Sequence, residues 1–197
     1  ALLEAAIDDA ENDAFAVGDP QRFHGQWTGL LLVDKDSLYE EDPYIGNRPG
    51  MPWADKDHYN RLHLAELTES AQAKVNQLRE LVDLAGVESI SDPIGPPLSE
   101  LRAREAQLAE AVEQLGGYKA VADALGVKDG APRYLAMIDD HGHAAISIGD
   151  PDTAIRNAVF VPGTGQDLRT VGPNSQRAVD MLNATLNADP SLTLDDV

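Results

Sequence analysis

The chain has 197 residues, enough for one medium domain or for a small α/β core with a helical attachment. Hydrophobic residues make up 43% of it, as in ordinary globular proteins, and a net charge of −19 would repel the phosphates of nucleic acids and anionic membranes. The absence of cysteine excludes disulfides and thiolate catalysis, and no apolar run approaches the roughly 18 residues that a membrane span needs.

Residues 1–20 have the pattern of the end of a helix that is closed by Gly18, Asp19 and Pro20. The apolar positions lie at helical spacing: Leu3, Ile7, Ala10 and Ala14. The sequence begins inside this pattern and ends where a strand is expected to start, near Leu192. We therefore expect a fragment, a processed product or part of a longer protein, with its compartment undetermined.

Residues 21–55 predict a connector rich in glycine, proline and aromatic residues, with one short strand at Leu30–Val33. We expect its aromatic side chains to hold it to a domain surface rather than to stack on a ligand: Trp27, Tyr39, Tyr44 and Trp53. The acidic residues between 34 and 42 are expected in a solvated loop. An EF-hand is disfavoured, because Tyr39 stands where that calcium loop requires glycine.

Residues 56–130 predict a helical region. A helix from Asp55 to Ala85, capped by Asp55 and closed by Gly86, carries an apolar stripe at helical period. Residues 68–70 could divide it into two helices. His58 and His63 are five residues apart, which does not place them together on one helix face, so we assign them structural roles.

After a proline-rich linker at residues 87–97, a second long helix is predicted from Leu98 to Leu115, ended by Gly116 and Gly117. A short helix, Tyr118–Leu125, follows. The long helices could form a lid over a site or a hairpin through which the protein forms an oligomer.

Residues 131–197 begin with a predicted β-hairpin, Arg133–Ile138 paired with His143–Ile148. The intervening residues could bind a metal, but aspartate and glycine at these positions are typical of a turn: Asp139, Asp140, His141, Gly142 and His143. We therefore favour the turn and predict no metal site.

A third strand is predicted at Asn157–Val161. It is almost wholly apolar, as expected of a strand buried on both faces and paired with further strands. A loop at residues 162–165 and an amphipathic helix, Ser175–Ala188, come next. This order of elements predicts an α/β fold in which a helical N-terminal region precedes the first strands of an incomplete layered sheet.

Two motifs in this region, GDPDTA at residues 149–154 and VPGTG at residues 161–165, resemble those of an actinobacterial α/β-hydrolase family formerly catalogued as a domain of unknown function. Residues 45–64 are similar to the linker of that family. The resemblance covers roughly residues 45–197. It implies the N-terminal part of a serine hydrolase of esterase or lipase type, acting on a small-molecule ester or lipid-like substrate.

No catalytic triad can be assigned within the chain, because no serine has glycine at both flanking positions of the G-x-S-x-G nucleophile elbow. The resemblance implies that residues 162–166 supply one oxyanion donor, from the backbone of Gly163, Thr164, Gly165 or Gln166. A plain glycine-rich turn is the alternative. Leu168 breaks a G-x-G-x-x-G pattern and no P-loop is present, so no cofactor is expected.

Three functions remain open from the sequence. The chain could be the front portion of an ester hydrolase whose nucleophile, acid and histidine lie beyond residue 197. It could be a non-catalytic helical module that binds a partner. It could also be one piece of a cleaved hydrolase that a second polypeptide completes.

Overall fold

The computed structural model describes residues 19–91, 98–126, 130–163, 166–193 and 196. This part of the chain contains five α-helices, two short 3-10 turns and one two-stranded sheet. In chain order the elements are α1 (Pro20–Thr28), α2 (Leu32–Glu41), a first 3-10 turn (Ile45–Asn47), α3 (Trp53–Ser91), α4 (Leu98–Leu125), β1 (Arg133–Ile138), β2 (Ala144–Ile148), a second 3-10 turn (Leu168–Thr170) and α5 (Val171–Ala188). None of the helices described is both long and apolar enough to cross a bilayer.

The connector is helical. Asp19 caps α1 by accepting hydrogen bonds from the backbone N–H groups of Gln21 and Arg22, and Pro20 occupies the first helical position. The predicted strand at Leu30–Val33 is wrong, because α2 already begins at Leu32. A short apolar run does not distinguish a strand from a helix start by its periodicity.

An aromatic cluster joins α1 and α2 to the first turns of α3. Trp27 is fully buried, with its ring edge-on to Tyr59 at 5.6 Å, and Tyr39 stacks on Tyr59 at 5.5 Å. The indole N–H of Trp27 donates to Asp55 at 2.6 Å. The expectation that Trp27 and Tyr39 hold the connector to the rest of the protein is therefore confirmed.

α3 is one continuous helix that passes both predicted interruptions. The hydroxyl of Thr68 donates to the carbonyl of Leu64, one turn earlier, so its side chain is hydrogen-bonded without interrupting the helix. Gly86 does not end α3, which continues to Ser91 through the first part of the predicted linker. One glycine costs a helix only about 1 kcal/mol relative to alanine. Residues 92–97 of that linker lie outside the described residues, as does the predicted helix before Gly18.

α4 is also continuous, so the predicted end at Gly116 and Gly117 is wrong. The reason is tertiary packing. A Cβ on Gly117 would lie 2.8 Å from the Cβ of Leu168, whereas nothing lies within 4 Å of the corresponding point on Gly116. Gly117 therefore allows the second 3-10 turn to approach α4. The predicted end at Leu125 is confirmed, and the N–H of Gly126 caps the carbonyls of Ala122 and Asp123.

The main core lies where α3, α4 and the hairpin meet. Its fully or nearly fully buried members include Val75 on α3, Tyr118 and Val121 on α4, and Leu135 and Ile138 on β1. Leu64, Ala71 and Val75 of the apolar stripe predicted for α3 belong to this core, whereas Leu62 and Leu81 on the same helix are exposed.

The predicted hairpin is confirmed. β1 and β2 pair antiparallel, with Arg133 opposite Ile148 and Leu135 opposite Ile146. A bulge between Leu135 and Met137 shifts the register by one residue. Gly142 closes the connecting turn with a φ of 93°, a conformation that suits glycine.

The predicted α/β-hydrolase sheet is not found in the described residues, which form a helical protein with a single antiparallel hairpin. Residues 157–161 are not a strand, and no strand begins at residues 191–193. α5 is longer than expected and starts at Val171. The fold class is therefore corrected from α/β to helical with one β-hairpin.

Candidate interaction surface

The outer edge of β1 is closed by side chains from the start of α3. Asp57 accepts the backbone N–H of Leu135 at 2.6 Å, and Asn60 donates to the carbonyl of the same residue at 2.9 Å. Arg61 donates to the carbonyl of Arg133 at 2.8 Å and pairs with Asp57. These helix residues have i, i+3 and i+4 spacing and so share one face of α3.

The first 3-10 turn closes the other half of the same edge. The Asn47 amide donates to the carbonyl of Ile138 at 2.8 Å and accepts its N–H at 3.1 Å. Asn47, Asp57, Asn60 and Arg61 together form what we call the β1 clasp. It leaves β1 with no free main-chain edge over Leu135 and Ile138, which is one way in which proteins prevent unwanted strand pairing.

Beneath the clasp lies a buried lysine. Lys56 donates its amine to the carbonyls of Gly46 at 2.8 Å and Arg48 at 2.9 Å. Burial lowers the pKa of Lys56 from 10.5 to about 8. Because the amine is enclosed and occupied by two carbonyls, it holds the first 3-10 turn against α3 rather than serving as a nucleophile.

The turn of the hairpin is organised by Asp139. Its carboxylate accepts the N–H groups of His141 and His143 at 2.9 Å each, and pairs with the His143 ring at 2.7 Å. Burial alone would raise the pKa of Asp139, but these hydrogen bonds from His143 and His141 outweigh it and lower the pKa. In the described ranges no group of three or more histidine and acidic side chains is arranged to hold a metal ion.

The acidic residues of α2 and the segment after it contact the protein itself. Asp36 accepts the hydroxyl of Tyr59 at 2.9 Å. Asp42 pairs with Arg48 and accepts the N–H of Tyr44. The sequence placed these residues in a solvated loop, whereas Asp34 to Glu41 belong to a helix.

Two of the four residues proposed for an oxyanion hole belong to the described part of the chain, and both lie at the surface. Gly163 and Gln166 are exposed, and nothing lies within 4 Å of a Cβ built on Gly163. Thr164 and Gly165 lie outside the described residues. Among the residues that are described, no hydrogen bond connects Gly163 or Gln166 to another side chain, so the loop stays a prediction.

One surface feature is a run of seven exposed residues, Ile155–Val161, of which five are apolar, and we call this run the apolar segment. Ile155 is 77% exposed, Val159 85% and Val161 77%. Within the described part of the chain, the N–H of Arg156 donates to the carbonyl of Asp196 at 3.3 Å. Exposed apolar side chains that are grouped together mark interaction sites more often than isolated ones do.

The protein is similar to two curated proteins of Mycobacterium tuberculosis, "Uncharacterized protein MT2140" and "Uncharacterized protein Rv2079" from two strains. Each is 29% identical over 180 residues, a match that covers 85% of this chain and 26% of the relative. The chain thus spans about a quarter of the length of these relatives. No protein-family model and no solved structure matches it.

Proposed function

We propose that this chain is a helical binding module whose contact element is the apolar segment, and that its partner is another stretch of polypeptide. The single observation that supports the proposal is the exposure of Ile155, Val159 and Val161 in one short run. Fully burying each of these side chains would contribute roughly 1.5–3 kcal/mol, so leaving all three in water forgoes a substantial gain.

The chemistry of the segment favours binding as an added strand. It is rich in β-branched and aromatic residues, which suit a pleated surface. In an extended conformation Val159 and Val161 face one side, while Ala158 and Phe160 face the other. Strand addition would combine main-chain hydrogen bonds with pockets for alternate side chains.

We assign the partner to the remainder of a longer polypeptide. Both mycobacterial relatives extend well beyond the matched region, since the match covers 26% of their length. In this proposal the aromatic cluster and the α3–α4 core form a rigid support, and the apolar segment connects that support to the rest of the protein.

Hydrogen exchange tests the proposal directly. We would compare the isolated 197-residue chain with the protein purified from the organism that naturally produces it, which we call the host protein, together with any polypeptide that accompanies it. The amides of residues 157–161 should exchange at least about tenfold more slowly in the host protein. Equal exchange in both forms would refute the proposal.

A matched pair of variants separates binding from folding. Val159→Lys should remove the protection in the host protein, whereas Leu32→Lys, at a residue 67% exposed on α2, should leave it unchanged. Both variants should keep the melting temperature of the isolated chain within about 2 °C, because surface substitutions rarely change stability by more than about 0.5 kcal/mol.

The ester-hydrolase function stays a second proposal, supported by the VPGTG motif at residues 161–165. Its test is a fluorophosphonate probe applied to the host protein. Labelling of a serine in a G-x-S-x-G peptide outside these 197 residues would support it. Failure to label any serine in a folded, host-purified protein would count against it.

A further inference from the structure

The two edges of the hairpin are different. The clasp binds main-chain groups of Arg133, Leu135 and Ile138, so these groups point away from β2. In an antiparallel pair, residues that point outward on one strand lie opposite residues that point outward on the other. The register therefore turns the main-chain groups of the opposing residues toward the far edge of the sheet: Ala144, Ile146 and Ile148.

This far edge of β2 has no hydrogen-bond partner among the residues described. α5 packs beside β2, but among the described residues no hydrogen bond joins the main chains of the two elements. Three N–H and three carbonyl groups thus form a row that no other described residue pairs, and such a row is a template for an additional strand. The β1 edge, by contrast, is covered by the clasp.

Charge lies at both ends of the open edge. The hairpin turn places Asp139 and Asp140 beyond Ala144, and Asp150 and Asp152 follow shortly after Ile148. Asp139 has a lowered pKa, and the chain as a whole carries a net charge of −19. An extended segment on this edge would therefore be stabilised by basic residues at its two ends.

We infer that the β2 edge binds an extended peptide segment that has a β-branched apolar centre and basic flanking residues. Main-chain hydrogen bonds to Ala144, Ile146 and Ile148 supply the pairing, and the flanking aspartates select the charge. This site is separate from the apolar segment, so the inference holds or fails independently of the proposed function.

The test is amide exchange by NMR on the 197-residue chain, with a synthetic peptide of alternating valine and threonine flanked by lysine pairs. In the free protein the amides of Ile146 and Ile148 should exchange quickly, whereas that of Ser147, opposite Tyr134 in the ladder, should be protected. The peptide should slow exchange at Ile146 and Ile148 at least about tenfold and leave Ser147 unchanged.

Two control peptides keep the protein itself unaltered. N-methylation of alternate peptide amides should abolish binding, because it removes the main-chain donors. Replacing the lysines by glutamates should weaken binding at least about tenfold at low ionic strength, because the aspartates then repel the peptide.

Four outcomes would overturn the inference. The first is that millimolar peptide adds no protection to the Ile146 and Ile148 amides, and the second is that the N-methylated peptide binds equally well. The third is that these amides are protected in the free protein to an extent that increases with protein concentration. The fourth is that they are protected in the free protein at every protein concentration. The third would identify a second copy as the occupant, and the fourth would identify a segment of the same chain, such as residues 157–161. Val159→Lys should not change peptide binding if the two sites are separate.

Discussion

Asp57 is expected to be the most costly residue of the β1 clasp to lose. Its carboxylate accepts the N–H of Leu135 at 2.6 Å, and Leu135 is fully buried. A hydrogen bond to a charged acceptor contributes roughly 1.5–3 kcal/mol, and its removal leaves a buried donor unpaired. The partly exposed pair with Arg61 adds only about 0.3–0.5 kcal/mol.

Asp57→Ala should therefore lower the free energy of unfolding by about 3 kcal/mol. At this chain length each 1 kcal/mol shifts the melting temperature by roughly 2–4 °C, so we expect a decrease of about 6–12 °C. Asp57→Asn keeps an acceptor oxygen and should lose only about 1 kcal/mol. The assay is urea unfolding followed by circular dichroism, combined with exchange of the Leu135 amide.

Asp83→Ala provides the control, because Asp83 is an exposed aspartate on the same helix. It should change stability by no more than about 0.5 kcal/mol. The reasoning would be refuted if Asp57→Ala unfolded at the same urea concentration as Asp83→Ala while the Leu135 amide stayed protected.

Two further predictions concern packing and pH. Gly117→Ala should destabilise the protein by roughly 1–3 kcal/mol, because its Cβ would lie 2.8 Å from the Cβ of Leu168. Gly116→Ala should instead stabilise it by up to about 1 kcal/mol, because nothing lies within 4 Å of the new Cβ. Thermal unfolding of both variants checks this, and equal shifts in melting temperature would contradict it. The pKa of Lys56 is lower in the folded protein than in the unfolded chain, so above about pH 8 the unfolded chain holds more protons at this residue. The free energy of unfolding should therefore rise with pH. Relative to Lys56→Met, the wild type should gain about 2 kcal/mol between about pH 7 and 9.5, as measured by urea unfolding; a constant difference would show that Lys56 does not titrate in this range.

The local elements that the sequence predicts well are those fixed by neighbouring residues. Two short, mostly apolar runs on either side of a turn that contains aspartate and glycine predict the hairpin, whose strands are found nearly where expected. The continuity of α4 could not be predicted, because Gly117 is tolerated for its contact with Leu168, about fifty residues later. Strand propensity at Asn157–Val161 did not produce a strand, since a strand also requires a partner that no local pattern supplies.

The clasp illustrates the same limit. The spacing of Asp57, Asn60 and Arg61 indicates that they share one face of the helix. It does not indicate that this face meets a strand edge more than seventy residues away. For the candidate loop at residues 162–166, the sequence supplied a motif, but the chemistry of that loop depends on neighbours that the described residues do not provide.

The clasp also has a consequence for the order of folding. The hairpin and the individual helices can form from contacts close in sequence, whereas Asp57–Leu135 and Asn47–Ile138 join residues 78 and 91 positions apart. Closing such long loops requires a loss of chain entropy that short loops avoid, and contacts of this range slow folding. The clasp should therefore form late, so Asp57→Ala should accelerate unfolding more than it slows refolding. The same side chains that seal one edge of the sheet would then set how long the native state lasts.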